Sequence, residues 1–196
     1  MSAIQDRIKH VEALARNAFK DHKITLKYSS PSGEMKQWLC KKPEESAYWF
    51  HITVWPYTLC ITGDLGDLIV ERSPNMIEWC RRSIDSIDYF SEKVSREIKT
   101  QEFDRDVALE NLDYQHKLGK EYAKLDWDEK KKYSEQLEEL QELKDLLDDD
   151  IASDEFYRAY YESSFYGGDM IECNNFTFHF LWCREAIKWF LNNLKD

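Results

Sequence analysis

The stretch from Tyr48 to Arg82 decides the fold, and it reads YWFHITVWPYTLCITGDLGDLIVERSPNMIEWCRR. It contains three short apolar runs: Tyr48–Trp55, Thr58–Thr62 and Leu68–Glu71. All three are rich in the β-branched and aromatic residues that suit a pleated sheet. Pro56-Tyr57 separates the first run from the second, and the glycines of Gly63–Asp67, which can adopt positive φ, separate the second from the third. The pattern predicts an antiparallel meander.

Helices and further strands are predicted on both sides of this meander. Ser73 followed by Pro74 resembles an N-cap and a first-turn proline, so a helix is expected to start near Pro74. Upstream, Ile4–Phe19 has amphipathic helical spacing, and Lys23–Tyr28 and Met35–Cys40 are predicted strands. Downstream, Phe176–Leu194 is apolar on nearly every side, which predicts a central helix across one face of the sheet.

The segment between these parts is expected to be helical and acidic. Two helices, at about Gln101–Leu125 and Asp126–Leu147, are predicted to form an antiparallel hairpin, with Asp126 and Glu129 as a capping box. A further helix is predicted to start at Ser153. The fold class is therefore α+β, with a small antiparallel sheet of about four or five strands packed by helices. We expect one domain over residues 1–196, with residues 101–150 as a hairpin arm.

Charge is segregated along the chain. The net charge is −11, and residues 101–155 contain 19 acidic and 8 basic side chains, so that this segment alone accounts for the balance of −11. Such a chain is not expected to bind nucleic acid directly, because phosphate contacts require a basic face.

Cysteine usage and the absence of long apolar runs bear on the compartment. The five cysteines form no CxxC pair, which is typical of reduced thiols in a cytosolic protein. No apolar run approaches the ~18 residues of a membrane span, and the N-terminus has no apolar signal region. We expect a soluble, cytoplasmic protein that does not engage a membrane.

Four ordered motifs resemble a family of bacteriophage and prophage proteins that has no established chemistry. They are Trp49–Pro56, Cys60–Gly66, Ile87–Val94 and Phe176–Cys183. The family shares a strand that ends in Thr-Trp-Pro-Gly, a Gly-Asp-Met/Leu-Gly turn, a Tyr-Trp-Ser-Glu-Lys-like segment and a C-terminal Phe-His-Phe-Leu-Trp-Cys helix. This chain departs from it at Tyr57, where glycine is usual, and at Phe90, where tryptophan is usual. The resemblance implies a phage accessory protein that counters host defences in the host cytoplasm.

One strand face and the arginines that follow it in sequence form the first candidate site. Trp49, His51 and Trp55 share a face on which a planar ligand could stack, and the arginines could contact phosphate. The alternative is an aromatic face covered by the first or last helix. The candidate ligand-binding residues are Trp49, His51, Trp55, Asp64, Arg72, Arg81, Arg82 and His179.

The Gly63–Asp67 loop and two histidines form a second candidate group. The loop could hold an anion on its amides or a cation on its carboxylates, although a simple hairpin turn with Asx hydrogen bonds is favoured. It has neither EF-hand nor P-loop spacing, so no metal or cofactor is expected. His51, Asp64 and His179 could form an acid–base or metal site, but core histidines with backbone partners are favoured. Cys60 and Cys183 lie in apolar runs, where a thiolate nucleophile is unfavourable.

The acidic hairpin has two interpretations, a solvated pair of helices or a surface that imitates the phosphate backbone of nucleic acid. The candidate protein-binding residues on it are Glu135, Glu138, Glu139, Glu142, Asp145 and Asp149.

Three functions follow from these sites. The first is a non-enzymatic binding protein that sequesters a nucleotide-type immune signal of the host. The second is an acidic inhibitor of a basic nucleic-acid-binding host protein, of the anti-CRISPR or anti-nuclease type. The third is an enzyme that uses His51, Asp64 or His179, for which no motif argues. Homo-oligomers through a sheet edge or the hairpin are a further expectation.

Overall fold

The fold is α+β, as predicted. In a computed structural model, which describes residues 2–122, 127–148, 153–163 and 171–195, the chain divides into two compact units. One comprises residues 5–101 and 176–196, here called the sheet unit, and the other comprises residues 1–4 and 102–175, here called the helical unit. The long segment of the helical unit, residues 102–175, starts next to the predicted start of the acidic arm at residue 101 and extends beyond residue 150.

The sheet unit contains a five-stranded antiparallel meander in the order β1-β2-β3-β4-β5. Its strands are β1 (Lys23–Ser29), β2 (Lys36–Lys41), β3 (Phe50–Trp55), β4 (Thr58–Gly63) and β5 (Leu68–Glu71). All five predicted strands are therefore confirmed. In β2 the buried residues alternate with partly exposed ones, so Trp38 and Cys40 face the core. In β3, Phe50 and Ile52 are buried on the same face, and Thr53 is buried on the opposite one.

Four helices belong mainly to the sheet unit: α1 (Ala3–Phe19), α2 (Met76–Ser83), α3 (Ile87–Ser91) and α7 (Phe178–Asn193). Helix α7 covers the inner sheet face, where Trp38 meets Phe190 with ring centroids 5.2 Å apart and Phe50 meets Trp189 at 6.1 Å. Phe19 of α1 packs beside them, 5.5 Å from the Phe50 ring. The expected central helix is thus confirmed, although Phe176 lies in a strand and Thr177 caps the helix.

The predicted helix after Ser73 is present, but the predicted N-cap is wrong. Helix α2 begins at Met76, and Asn75 is its N-cap, whose side-chain oxygen accepts a hydrogen bond from the Glu78 amide at 3.2 Å. Ser73 belongs to the neighbouring turn, where its carbonyl accepts from the Tyr57 amide at 3.0 Å. An asparagine two residues downstream satisfies the helix amides instead.

The helical unit has its own core. Helices α4 (Arg105–Tyr122), α5 (Trp127–Asp148) and α6 (Ser153–Glu162) bury a cluster centred on Leu112, Leu140, Leu143, Phe156 and Tyr160. Helices α4 and α5 are antiparallel, since Gly119 lies against Tyr133 while Asp113 pairs with Lys144. The predicted hairpin is therefore present, with α6 packed on it. The predicted capping residue Asp126 lies outside the described residues.

Two short strands complete the described elements. Strands β6 (Gln101–Phe103) and β7 (Asn174–Phe176) form a separate two-stranded sheet. None of the helices in the described ranges is both long enough and apolar enough to cross a membrane.

Candidate functional site

Trp49 and His51 lie together on the outer face of the sheet. Their ring centroids are 5.5 Å apart, and both side chains are partly exposed. Thr53, further along the same face, is buried, and its hydroxyl accepts a hydrogen bond from the side-chain amide of Gln37 at 3.0 Å. Burial, followed by the charge of Lys27, lowers the pKa of His51. The outer face therefore carries a neutral imidazole beside an indole at neutral pH.

Asp64 and His179 are brought together in a different place, at the end of the sheet that meets the start of α7. Both line one groove of about 510 Å³ in the sheet unit. The Asp64 carboxylate accepts a hydrogen bond from the Tyr48 amide at 2.6 Å, and His179 Nε2 lies 3.0 Å from the Asp67 carbonyl oxygen. Because a carbonyl only accepts, this nitrogen donates. His51 does not belong to this lining, so the three-residue constellation is divided between two surfaces.

The Gly63–Asp67 loop is packed closely on both sides. A Cβ on Gly63 would lie 2.8 Å from the Trp49 carbonyl oxygen, and a Cβ on Gly66 would lie 2.7 Å from His179 Cε1. Both glycines have positive φ. The loop is thus a tight turn packed against Trp49 and α7. The sequence favoured such a turn with Asx hydrogen bonds, but the Asp64 carboxylate accepts from the Tyr48 amide, outside the turn.

The three candidate arginines lie on the surface of the sheet unit. Arg82 forms an ion pair with Glu78 on its own helix, with Nε 3.5 Å from Oε1. Arg72 hydrogen-bonds the Tyr89 hydroxyl, and this contact, followed by one from Trp79, lowers the pKa of that phenol. Arg81 is exposed on α2.

Tryptophans and lysines instead meet in two adjoining grooves of the sheet unit. The grooves, of about 560 and 540 Å³, share Leu26, Trp38, Leu194 and Lys195 in their linings. We call them together the tryptophan–lysine groove, defined by Trp38, Trp55, Trp189, Lys23, Lys36 and Lys195. The three lysines are exposed, whereas Trp38 is only 8% exposed. Among the described lining residues there is one acid, Glu34, so the rim is net positive.

Only Trp55 among the candidate ligand-binding residues lines the tryptophan–lysine groove. Sequence reasoning missed the other five residues that define it, because they come from β1, β2 and the end of α7. The alternation of β2 puts Trp38 on the face opposite Gln37 and Leu39, and the structure shows that this is the inner face. No local pattern links Lys36 to Lys195, which are distant in sequence.

Thiol and metal chemistry find little support in the described residues. Burial raises the pKa of Cys80 and Cys183 to about 12, and it also raises the pKa of Cys40 and of the half-buried Cys60. These thiols are therefore protonated at neutral pH, whereas a nucleophile needs the thiolate. Within the described ranges, no three His, Cys, Asp or Glu side chains are grouped to hold a metal ion.

The candidate acidic residues lie on α5 in the helical unit. Glu138, Glu142 and Asp145 are exposed, and Glu139 is partly buried. The Asp145 carboxylate accepts a hydrogen bond from the side-chain amide of Gln141 at 2.7 Å. The side chain of Glu135 and the whole of Asp149 lie outside the described residues.

Comparison of the chain with protein-family models, with curated proteins and with solved structures finds no match.

Proposed function

We propose that this chain is a non-enzymatic binding protein that holds a small, flat, anionic ligand in the tryptophan–lysine groove. The observation that carries the proposal is a pair of adjoining grooves that share Trp38 and Lys195 in their linings, with Trp55 and Lys36 lining one groove and Trp189 and Lys23 lining the other. Ligand sites are commonly clefts of ~300–1,000 Å³ with apolar walls and a few polar groups that fix orientation. Indole faces stack on aromatic bases, and lysines attract phosphate.

A nucleotide matches this surface better than other anions do, because it combines a planar base with phosphate. Together with the resemblance to bacteriophage proteins, this leads to the particular proposal that the protein sequesters a nucleotide-type signal of host immunity in the host cytoplasm. The arginines that the sequence favoured for phosphate contacts are replaced in this proposal by Lys23, Lys36 and Lys195.

The test is a calorimetric titration with linear and cyclic nucleotides at low and high salt. Binding should weaken with salt, because exposed charge pairs are screened. Lys36→Ala combined with Lys195→Ala should lower the affinity at least tenfold, and Trp55→Ala should do so at any salt concentration. Lys27→Ala is the matched control, since Lys27 is an exposed β1 lysine outside the described lining.

Two results would overturn the proposal. One is equal binding by the control and the double lysine variant. The other is chemical change of the bound nucleotide, seen by chromatography after release, which would favour an enzyme.

The acidic face of α5 supports a second candidate function, the inhibition of a basic nucleic-acid-binding host protein. Glu138, Glu142 and Asp145 are exposed at helical spacing, whereas Leu140, Leu143 and Leu147 of the same helix are buried in the core. Changing Glu138 and Glu142 to lysine should abolish inhibition of the host target while far-UV circular dichroism stays unchanged. Full activity of that variant would exclude this function.

A further inference from the structure

Three aromatic rings meet at the groove that Asp64 and His179 line. The Phe178 ring stacks on Trp182 with centroids 5.6 Å apart and planes at 19°, and the Tyr48 ring meets Trp182 edge-on at 5.7 Å and 63°. Trp182 is only 8% exposed, whereas Tyr48 and Phe178 are 49% and 48% exposed. We call these three rings the aromatic cleft. The half-exposed rings of Tyr48 and Phe178 and the buried ring of Trp182 thus give this groove aromatic walls.

The Tyr48 ring is held in this position by its own backbone. Tyr48 has a φ of +59°, a left-handed conformation that is unfavourable for a residue with a Cβ. Its amide donates to Asp64 Oδ2 at 2.6 Å, and its carbonyl accepts from His22 Nε2 at 2.9 Å. His22 is in turn packed against Phe19 and Phe50. Two side-chain hydrogen bonds therefore maintain a strained residue whose ring stays largely in solvent, an arrangement that recurs at binding sites.

The electrostatics of the cleft favour a cation. The faces of aromatic rings carry partial negative charge, and Asp64 adds a carboxylate to the same groove. None of the described lining residues is a lysine or an arginine, and the nearby Lys20 Nζ donates to the side-chain oxygen of Asn17, which lines the groove, at 3.2 Å. His179 directs Nε2 to the Asp67 carbonyl, and its Nδ1 lies 3.9 Å from Cys183 Sγ. The hydrogen bond from Tyr48 to the Asp64 carboxylate uses Oδ2, and a carboxylate has further lone pairs to offer.

The residues that line the groove favour an organic cation over a metal ion. A hard metal ion requires several oxygen ligands, and this groove supplies one carboxylate and the Asn17 side-chain oxygen, which already accepts from Lys20, among Leu14, Ala18, Leu65 and the three rings. A quaternary ammonium group is large, weakly hydrated and surrounded by methyl groups that fit aromatic walls. We propose that the aromatic cleft, with Asp64, binds an organic alkylammonium group of the trimethylammonium type. This site is separate from the tryptophan–lysine groove, and the proposal does not depend on the proposed function.

The test compares choline with 3,3-dimethylbutan-1-ol, a neutral alcohol of nearly the same shape. Binding to the full chain is followed by calorimetry and by tryptophan fluorescence. Choline should bind at least tenfold more tightly, because only the charged ligand gains from the rings and the carboxylate. Asp64→Asn should remove most of this preference, since the amide can still accept the hydrogen bond from Tyr48 but carries no charge.

A pair of tyrosine variants locates the site. Tyr48→Gly removes one wall and is compatible with the positive φ. Tyr57→Gly is the matched control, because Tyr57 also has a positive φ, of +71°, and is 58% exposed in the β3–β4 turn. Tyr48→Gly should weaken choline binding at least fivefold, and Tyr57→Gly should leave it unchanged. If Tyr48→Gly does not fold, Phe178→Leu removes another exposed ring and should have the same effect.

The proposal is overturned if the neutral alcohol binds as tightly as choline, or if neither binds in the millimolar range. It is also overturned if the folded Tyr48 or Phe178 variant binds choline as the unaltered protein does.

Discussion

Replacing Gly66 by alanine should destabilise the sheet unit much more than replacing Gly33, although both glycines have similar positive φ, +86° and +74°. The difference lies in what the new Cβ would meet. At Gly33 nothing lies within 4 Å, whereas at Gly66 the His179 ring lies 2.7 Å away. The pair of variants thus separates the cost of the backbone conformation from the cost of the contact with α7.

The magnitudes follow from these geometries. A left-handed alanine costs ~1–2 kcal/mol, of which ~0.4–1 kcal/mol is offset because alanine restricts the unfolded chain. Gly33→Ala should therefore cost about 1 kcal/mol or less. Gly66→Ala adds ~1–3 kcal/mol of overpacking. It also adds ~1 kcal/mol for the hydrogen bond from His179 to the Asp67 carbonyl, which the displaced ring loses. We expect a difference of about 2–4 kcal/mol between the two variants.

Urea unfolding followed by tryptophan fluorescence measures this difference, because six of the seven tryptophans belong to the sheet unit. The same comparison in a His179→Ala background provides the control. There the excess cost of Gly66→Ala should fall below ~1 kcal/mol, since the blocking ring is gone. Equal losses for Gly33→Ala and Gly66→Ala, or an excess that persists without His179, would refute the reasoning.

Three further predictions concern buried groups. Burial raises the pKa of Cys80 to about 12 from the usual 9.0, so the folded state keeps a proton that the unfolded chain loses. The free energy of unfolding should therefore fall as pH rises above 9.0, by up to ~1.4 kcal/mol per pH unit for this thiol. In urea unfolding at several pH values, Cys80→Ala should reduce this pH dependence by the same amount. Arg184, 4% exposed, donates from Nε to the Ile84 carbonyl at 2.8 Å and pairs with Glu185. Arg184→Met should lower the free energy of unfolding in urea by ~3 kcal/mol. A loss below ~1 kcal/mol would show that these contacts of Arg184 do not stabilise the fold. Leu143→Ala should destabilise the helical unit by ~2–5 kcal/mol, measured by far-UV circular dichroism, because Leu143 is buried in its core.

The sheet was predictable because its signals are local. Alternation along β2 places Trp38 inward and Leu39 outward, and Pro56 and the Gly63–Asp67 turn mark where the chain reverses. The start of α2 was not predictable from the residues nearest to it. Ser73 and Asn75 are both good N-caps; the helix uses Asn75, while the Ser73 carbonyl accepts a tertiary hydrogen bond from the Tyr57 amide.

The candidate sites were predictable only as separate pieces. Sequence reasoning selected Asp64 and His179, which share a groove, but it also grouped His51 with them, which faces another surface. The alternation of side chains along β3 places His51 on the face opposite Phe50 and Ile52. It does not predict that the Gly63–Asp67 turn after β4 brings Asp64 next to His179. The exposed ring of Tyr48 was missed altogether, because no sequence pattern indicates a tyrosine with positive φ.

The two histidines behind the aromatic cleft bear on how the protein works. His22 and His179 each direct Nε2 to a main-chain carbonyl, of Tyr48 and of Asp67. A histidine in acid–base catalysis needs a ring nitrogen directed at the reacting group, while the other is held by an orienting partner. In His179 the second nitrogen faces the buried Cys183 thiol. The hydrogen bonds of both histidines thus fix the backbone around the cleft. Replacing either one should therefore alter the affinity for a ligand through the position of Tyr48 or of the Gly63–Asp67 turn.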